Sequence, residues 1–280
     1  MNYHQLSRVA RFRSFHNTYI LQPYFPHMAT VIDRFGIWGK YPTKDTNEFY
    51  MPSNLTKDKQ EIGQYSQDIN RIRGIGGKKT SSNDMHFHIQ ILNVEATGYF
   101  KVIKNMDDIS IKLRGGHHSN AGDDSARCYV FRIGADGKGK NFAKEFPHKN
   151  GKGYSWHTLE VESLESLEDK WIGIKAITWN EGNDKVHCEC YLDFDGVSEQ
   201  GKFDTEKQKW KLRYDLVDEE GKFGEDNKDH KTSAAWTTLQ EKSSIQFRVD
   251  ARNGKTMKYS YKENTATFQL LSAREIDIQI

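Results

Sequence analysis

From residue 85 onward a two-residue period of apolar side chains dominates, and helical spacing is nearly absent. That period constrains the fold more than any other feature, because alternate residues of a strand face opposite sides of a sheet. "MHFHIQIL" sets Phe87, Ile89 and Ile91 against His86, His88 and Gln90, and "DISIKLRG" sets Ile109, Ile111 and Leu113 against Ser110, Lys112 and Arg114. In "KVHCECYLDF", Val186, Cys188, Cys190, Leu192 and Phe194 oppose His187, Glu189, Tyr191 and Asp193. "SSIQFRVDA" sets Ile245, Phe247 and Val249 against Gln246, Arg248 and Asp250. "ARCYVFRIG" is apolar on both sides, with Cys128 and Val130 on one and Tyr129 and Phe131 on the other, which predicts a strand covered on both faces. "KWIGIKAITWN" and "ATFQLLSAREIDIQI" add further strands, and "ATGYFKVIK" follows Asn93 as a hairpin partner or continuation of the strand before it. "WHTLEVESLESLEDK" reads as a short helix or turn. So many strands without alternating helices predict an all-β chain folded as an antiparallel two-sheet β-sandwich.

Composition narrows the partners. Hydrophobic residues make up only 36% of the 280, yet aromatics reach 12%, which fits aromatic strands joined by long polar loops. The 41 basic and 39 acidic residues are interspersed, so no dominant field forms and nucleic acid is not an expected partner. Cys188 and Cys190 face the same way and cannot readily bridge each other. All three cysteines read as buried thiols, a bridge from Cys128 to Cys188 or Cys190 being the alternative. No zinc spacing occurs, and no metal or other cofactor is expected. Two alternatives stay open: a structural Ca2+ site in the charged tract "DEEGKFGEDNKDHK" (218–231), otherwise a solvated loop, and half a metal site at His86 and His88, otherwise a polar strand face.

The expected organisation is a basic extension over residues 1–31 and one sandwich domain over 32–280. Arg8, Arg11 and Arg13 precede the first acidic residue, Asp33. The extension reads as a segment packed on the domain or as sequence upstream of a start at Met28, with a transit peptide or basic arm as alternatives. Neither a transmembrane stretch nor the order of a secretory signal is apparent. The polar run Thr56–Asn83, with "RIRGIGGKKTSSN", is expected to be a long exposed loop; it lacks a phosphate-cradling glycine pattern.

Taken together, "GKYPTKDTNEFYM", "EATGYFKV", "IKLRGGHHS", "YVFRIGADGK", "KEFPH", "KWIGIKAITWN", "YLDFDG" and "SAREI" resemble the concanavalin A-like jelly rolls, over roughly residues 32 to 280. The nearest likenesses are to archaeal members of that superfamily and, more distantly, to alginate- and glucuronan-lyase-like sandwiches. The resemblance implies two curved antiparallel sheets, the concave one forming a groove for polysaccharide, in a superfamily of lectins, glycoside hydrolases and polysaccharide lyases. "IKLRGG" supplies Arg114 but not the glutamate of the lyases' R-[ST]-E-L-R strand, and the two-glutamate hydrolase signature is missing from "HCECYLDFDG". Neither catalytic set transfers intact.

The residues themselves assemble a recognition surface on paper. Lys112, Arg114, Tyr129, Lys175, Tyr191 and Arg248 share one groove if their strands are neighbours, with Glu189 on a groove-facing strand and His117, His118 and His148 at the rim. Gly115 and Gly116 are expected to give the chain a sharp turn there. Trp179 and Phe146, with Trp156, are the candidate aromatic platforms. Arginine pairs bidentately with a uronate carboxylate, and aromatic rings stack on the apolar faces of sugars. The leading expectation is therefore binding of a polysaccharide, acidic in preference. A lyase is the second reading: Arg114 neutralises the uronate, a histidine among His117, His118 and His148 removes the C5 proton, and Tyr191 or Tyr129 protonates the leaving oxygen. A hydrolase would use Glu189 with Asp193 or Asp250. The third reading is a structural protein that assembles as a homo-oligomer, or through its amino-terminal arm. Glu145 is expected to pair with Arg132 or Arg127. An external glycan calls for export, an internal one for none.

Overall fold

The computed structural model describes residues 41, 43–51, 64–75, 78–88, 91–101, 106–116, 127–137, 142–146, 154–157, 159, 161, 163–223, 234–239, 243–252 and 267–278, the first three strands by their backbone alone. The strands are β1 (Thr43–Met51), β2 (Gln64–Ile75), β3 (Lys78–His88), β4 (Val94–Lys101), β5 (Met106–Gly116), β6 (Cys128–Gly134) and β7 (Phe142–Glu145). After them come β8 (Tyr154–His157), β9 (Trp171–Glu181), β10 (Lys185–Asp193), β11 (Lys211–Asp218), β12 (Ser243–Arg252) and β13 (Thr267–Ile276). Among the described residues the helical content is one 3-10 turn, Thr205–Lys207. Residues 163–170 of the segment expected as a helix or turn form no helix.

One sheet has six strands in the order β1-β13-β4-β9-β10-β11, the other seven in the order β2-β3-β12-β5-β6-β7-β8. Every pairing is antiparallel. The chain changes sheet after β1, β3, β4, β8, β11 and β12, the crossing connectivity of a jelly roll. The expected two-sheet antiparallel sandwich is therefore the fold.

The core is the set of inward faces that the alternation marked. Ile109, Ile111 and Leu113 of β5, Tyr129, Phe131 and Ile133 of β6, and Ile245 and Phe247 of β12 meet Val94, Ala96 and Phe100 of β4. Ile172, Ile174 and Ala176 of β9 and Val186, Cys188, Cys190 and Leu192 of β10 complete it. Burying each large apolar side chain contributes roughly 1.5–3 kcal/mol, so this interlayer is what holds the sheets face to face. All three cysteines are buried free thiols. Burial raises the Cys190 thiol to about 12, with Tyr214 and Arg213 opposing it.

Four expectations need correction. Residues 64–75 and 78–88 form an antiparallel strand pair, with Gln64 opposite His88 and Ile75 opposite Lys78. Backbone pairing needs no apolar pattern, which is why polar sequence concealed β2 and the first part of β3, while its end, from Met85, falls in the expected strand. β4 is neither partner nor continuation of β3; it crosses to the other sheet between β13 and β9. Gly115 belongs to β5, and its role is close approach instead of a turn, since a Cβ there would lie 2.3 Å from the Cβ of Cys128. The left-handed backbone falls on Arg114 (φ 56°), where β5 carries one more residue than β12 opposite it. That bulge breaks the alternation and turns Arg114 to the same side as Leu113.

Candidate functional site

The residues expected in one groove are divided among three environments. Arg114 and Tyr129 lie inside the sandwich. Arg114 is 1% exposed; its Nε donates to Thr178 Oγ1 (3.2 Å) and its Nη1 to Asn180 Oδ1 (2.6 Å) and the Trp236 carbonyl (3.0 Å). Burial lowers its guanidinium to about 10, partly offset by the electrostatic pull of Tyr129, Cys188 and Asp218, so it stays charged at neutral pH. Tyr129 donates to Asp218 Oδ2 and accepts from the Trp236 amide (3.0 Å). Lys144, fully buried beside them, pairs with Asp218 (2.8 Å) and donates to the Ala234 carbonyl (2.7 Å). Asn180 Nδ2 and Arg127 Nη2 hold the carbonyls of Thr237 (2.9 Å) and Thr238 (3.4 Å). These side chains strap the segment 234–238 across the end of the sandwich. Trp236 is wedged against Tyr129 and Phe146 (ring centroids 5.2 Å from each), so Phe146 packs in the core and is no open platform.

Lys112 and Arg248 occupy the outward side of the seven-stranded sheet. Lys112 pairs with Glu145 at 2.5 Å, and Cys128 Sγ donates to the same Glu145 carboxylate (3.0 Å). Arg132 pairs instead with Asp108 (2.6 Å), which corrects the expected Glu145–Arg132 or Glu145–Arg127 pair: strand alternation puts Lys112, not either arginine, beside Glu145. Burial and Glu145 raise the Cys128 thiol well above its usual value, while Lys112 and Arg248 oppose that rise.

Lys175, Trp179, Glu189 and Tyr191 are brought together on the outward side of the six-stranded sheet. Strand register arranges this face in rows. Arg274, Glu95, Ile177, Glu189 and Asp215 are successive cross-strand neighbours on β13, β4, β9, β10 and β11. The next row runs Ser272, Thr97, Lys175, Tyr191 and Leu212, and beyond Ile177 and Glu189 come Trp179 and His187. A bulge at Arg213 lets Tyr191 face Leu212, which is 54% exposed.

The cations of this face are held internally. Lys175 reaches Glu95 (2.5 Å) and Thr97 (2.7 Å) and lies 4.9 Å above the Trp210 ring; Arg274 reaches the same Glu95 oxygen at 2.7 Å. Burial alone would raise the Glu95 carboxyl, but Lys175 and Arg274 together hold it below the ordinary carboxylate range. Nearer β11 the balance reverses. Glu189 accepts from Tyr41 (3.1 Å) and Tyr191 (3.0 Å), and burial with the Glu189 charge raises both phenols. His187 stacks on Trp179 (4.0 Å, 12°), with Nδ1 on Glu181 (3.3 Å) and Nε2 on Asp215. One donor atom each from His187, Glu189 and Asp215 lies within 4.8 Å of the other two, the best metal-ligating set among the described residues. Asp193, considered as a second hydrolase carboxylate, instead accepts from Tyr99 (2.5 Å) and from the amides of Gly196 (3.0 Å) and Lys209 (2.8 Å), anchoring the 194–210 connection.

Arg114 and Tyr191 stand on opposite sides of the six-stranded sheet, so no single sugar position touches both. His117, His118 and His148, the side chains of His86, His88, Trp156 and Asp250, the amino-terminal extension and residues 224–231 of the charged tract lie outside the described residues. Asp218 at the head of that tract faces inward, and Glu219 pairs with Lys185 (3.1 Å). Tyr41, His187 and Asp215 were not expected at the site. His187 was legible as a face-mate of Glu189, whereas Asp215 depends on a register that the sequence does not display.

The chain matches no family model and no curated protein by sequence. Among solved structures it is similar to the carbohydrate-binding module CBM66 from Bacillus subtilis (13% identity, 77% of this chain and 98% of that one, TM-score 0.40). It is also similar to a β-glucanase from Bacillus licheniformis (12%, 84% and 100%, TM-score 0.36) and an endo-β-1,4-glucuronan lyase from the fungus Trichoderma reesei (13%, 82% and 94%, TM-score 0.31). Similarity at this level leaves function to be argued from the chain's own side chains.

Proposed function

We propose that the chain is a carbohydrate-binding protein whose ligand meets the outward face of the six-stranded sheet at its β9–β10–β11 end. The supporting observation is the set His187, Glu189, Tyr191 and Asp215, with Trp179 beneath the imidazole, arranged on adjacent strands. Carboxylates accept charge-assisted hydrogen bonds from vicinal hydroxyls, and imidazole and phenol edges add polar contacts of the same reach. Since Lys175 and Arg274 are both engaged by Glu95, the ligand this end suits is a neutral, hydroxyl-rich glycan in place of the acidic polymer expected from the sequence. The resemblance to concanavalin A-like jelly rolls favours the same class of ligand.

The test is affinity electrophoresis through neutral polymers (β-glucan, mannan, xylan) and acidic ones (alginate, glucuronan), each also assayed for unsaturated uronate. Retardation by a neutral polymer is expected, with loss of at least about tenfold in affinity for Asp215→Asn, a change at an exposed carboxylate. Absence of retardation on every polymer by folded protein would overturn the proposal. So would retention that Asp215→Asn and His187→Ala leave intact. Unsaturated product would replace binding with elimination.

A further inference from the structure

We infer that His187, Glu189 and Asp215 form a binding site for a divalent transition-metal cation, of which Zn2+ is the representative. Their donor atoms, mutually within 4.8 Å, come from two rigid neighbouring strands, and Glu189 and Asp215 are direct cross-strand partners. An imidazole with two carboxylates is a donor set for zinc or its neighbours; calcium and magnesium take oxygen ligands alone.

The surroundings orient the ligands. Glu181 lies 3.3 Å from His187 Nδ1, so that a proton on Nδ1 makes the carboxylate–histidine pairing that turns Nε2 toward a metal. Trp179 stacked at 4.0 Å fixes the ring plane, and the Tyr41 and Tyr191 hydroxyls each hold one oxygen of Glu189. Asp215 is 46% exposed at the side chain and His187 20%, so an ion can reach the set from solvent. Zinc bonds of roughly 2.0–2.2 Å separate ligand atoms by more than a hydrogen bond does, so Asp215 draws back from Nε2 on binding. These three side chains also belong to the proposed glycan-binding face, but the metal site does not rest on that reading.

The experiment is calorimetric titration of the metal-free full chain with ZnCl2, repeated with CoCl2 for the visible spectrum of the bound ion, and without glycan. One zinc equivalent with micromolar or tighter affinity is expected, together with a cobalt spectrum showing nitrogen and oxygen ligation. His187→Ala should abolish that equivalent, and Glu181→Gln, which removes only the orienting carboxylate, should weaken it by about tenfold. No uptake by the folded chain, or uptake unchanged in His187→Ala, overturns the inference. Because no polymer is present, neither result bears on carbohydrate binding.

Discussion

Two buried charge clusters in this molecule solve the same problem with opposite results. On the outward face of the six-stranded sheet, one carboxylate, Glu95, is shared by Lys175 and Arg274, and its carboxyl is held below the ordinary range. At the end of the sandwich, Asp218 pairs directly with one cation, Lys144, and with the Tyr129 hydroxyl. Burial raises the Asp218 carboxyl and outweighs the pull of Lys144, with burial likewise lowering the Lys144 ammonium. Both carboxylates are essentially excluded from solvent. Depth therefore does not choose the direction; the number of cations in contact does, because each adds attraction against one fixed desolvation cost.

The largest effect expected is for Glu95→Ala, which strands two buried cations and should cost about 3–5 kcal/mol, read from the urea midpoint and slope. A loss below about 1 kcal/mol would mean that the cluster rearranges and that cation count is not what holds it. Asp218→Asn should cost less, about 1–2 kcal/mol, because the amide oxygen still accepts from Tyr129 and Lys144 keeps the Ala234 carbonyl. Equal losses at the two positions would dissolve the contrast.

The smallest effect is in the pH dependence. A carboxyl depressed in the folded chain contributes stability that is present above its unfolded value and lost as pH falls toward the folded one. Glu95 should therefore make the chain less stable as pH drops below about 4.5. Asp218, raised above 3.8, binds its proton earlier in the folded chain than in the unfolded one, so over that window its contribution improves with acidification. Urea unfolding across pH 3–6 should show a flatter acid loss in Glu95→Gln and a steeper one in Asp218→Asn.

Much of the sandwich was legible because alternation reports which side chains are inward, as in Val186, Cys188, Cys190 and Leu192. It failed where the strand sequence is mostly polar and glycine-containing, at 64–84, and where a bulge reverses its phase, at Arg114. The candidate site was legible within a strand and illegible between strands. Glu189 and Tyr191 on β10 were placed on one face correctly, and Lys175 and Trp179 of β9 join them because those strands are neighbours. Lys112 and Arg248 share β5 and β12 of the other sheet, a partition that only strand order determines.

The strap at 234–238 is held chiefly through its own main-chain oxygens, which every amino acid possesses. Natural variation can thus run freely through Ala234, Thr237 and Thr238 while Trp236 and the holders Arg114, Lys144 and Asn180 stay fixed. A deep mutational library would print that contrast as a tolerant stretch of loop gripped by intolerant strands.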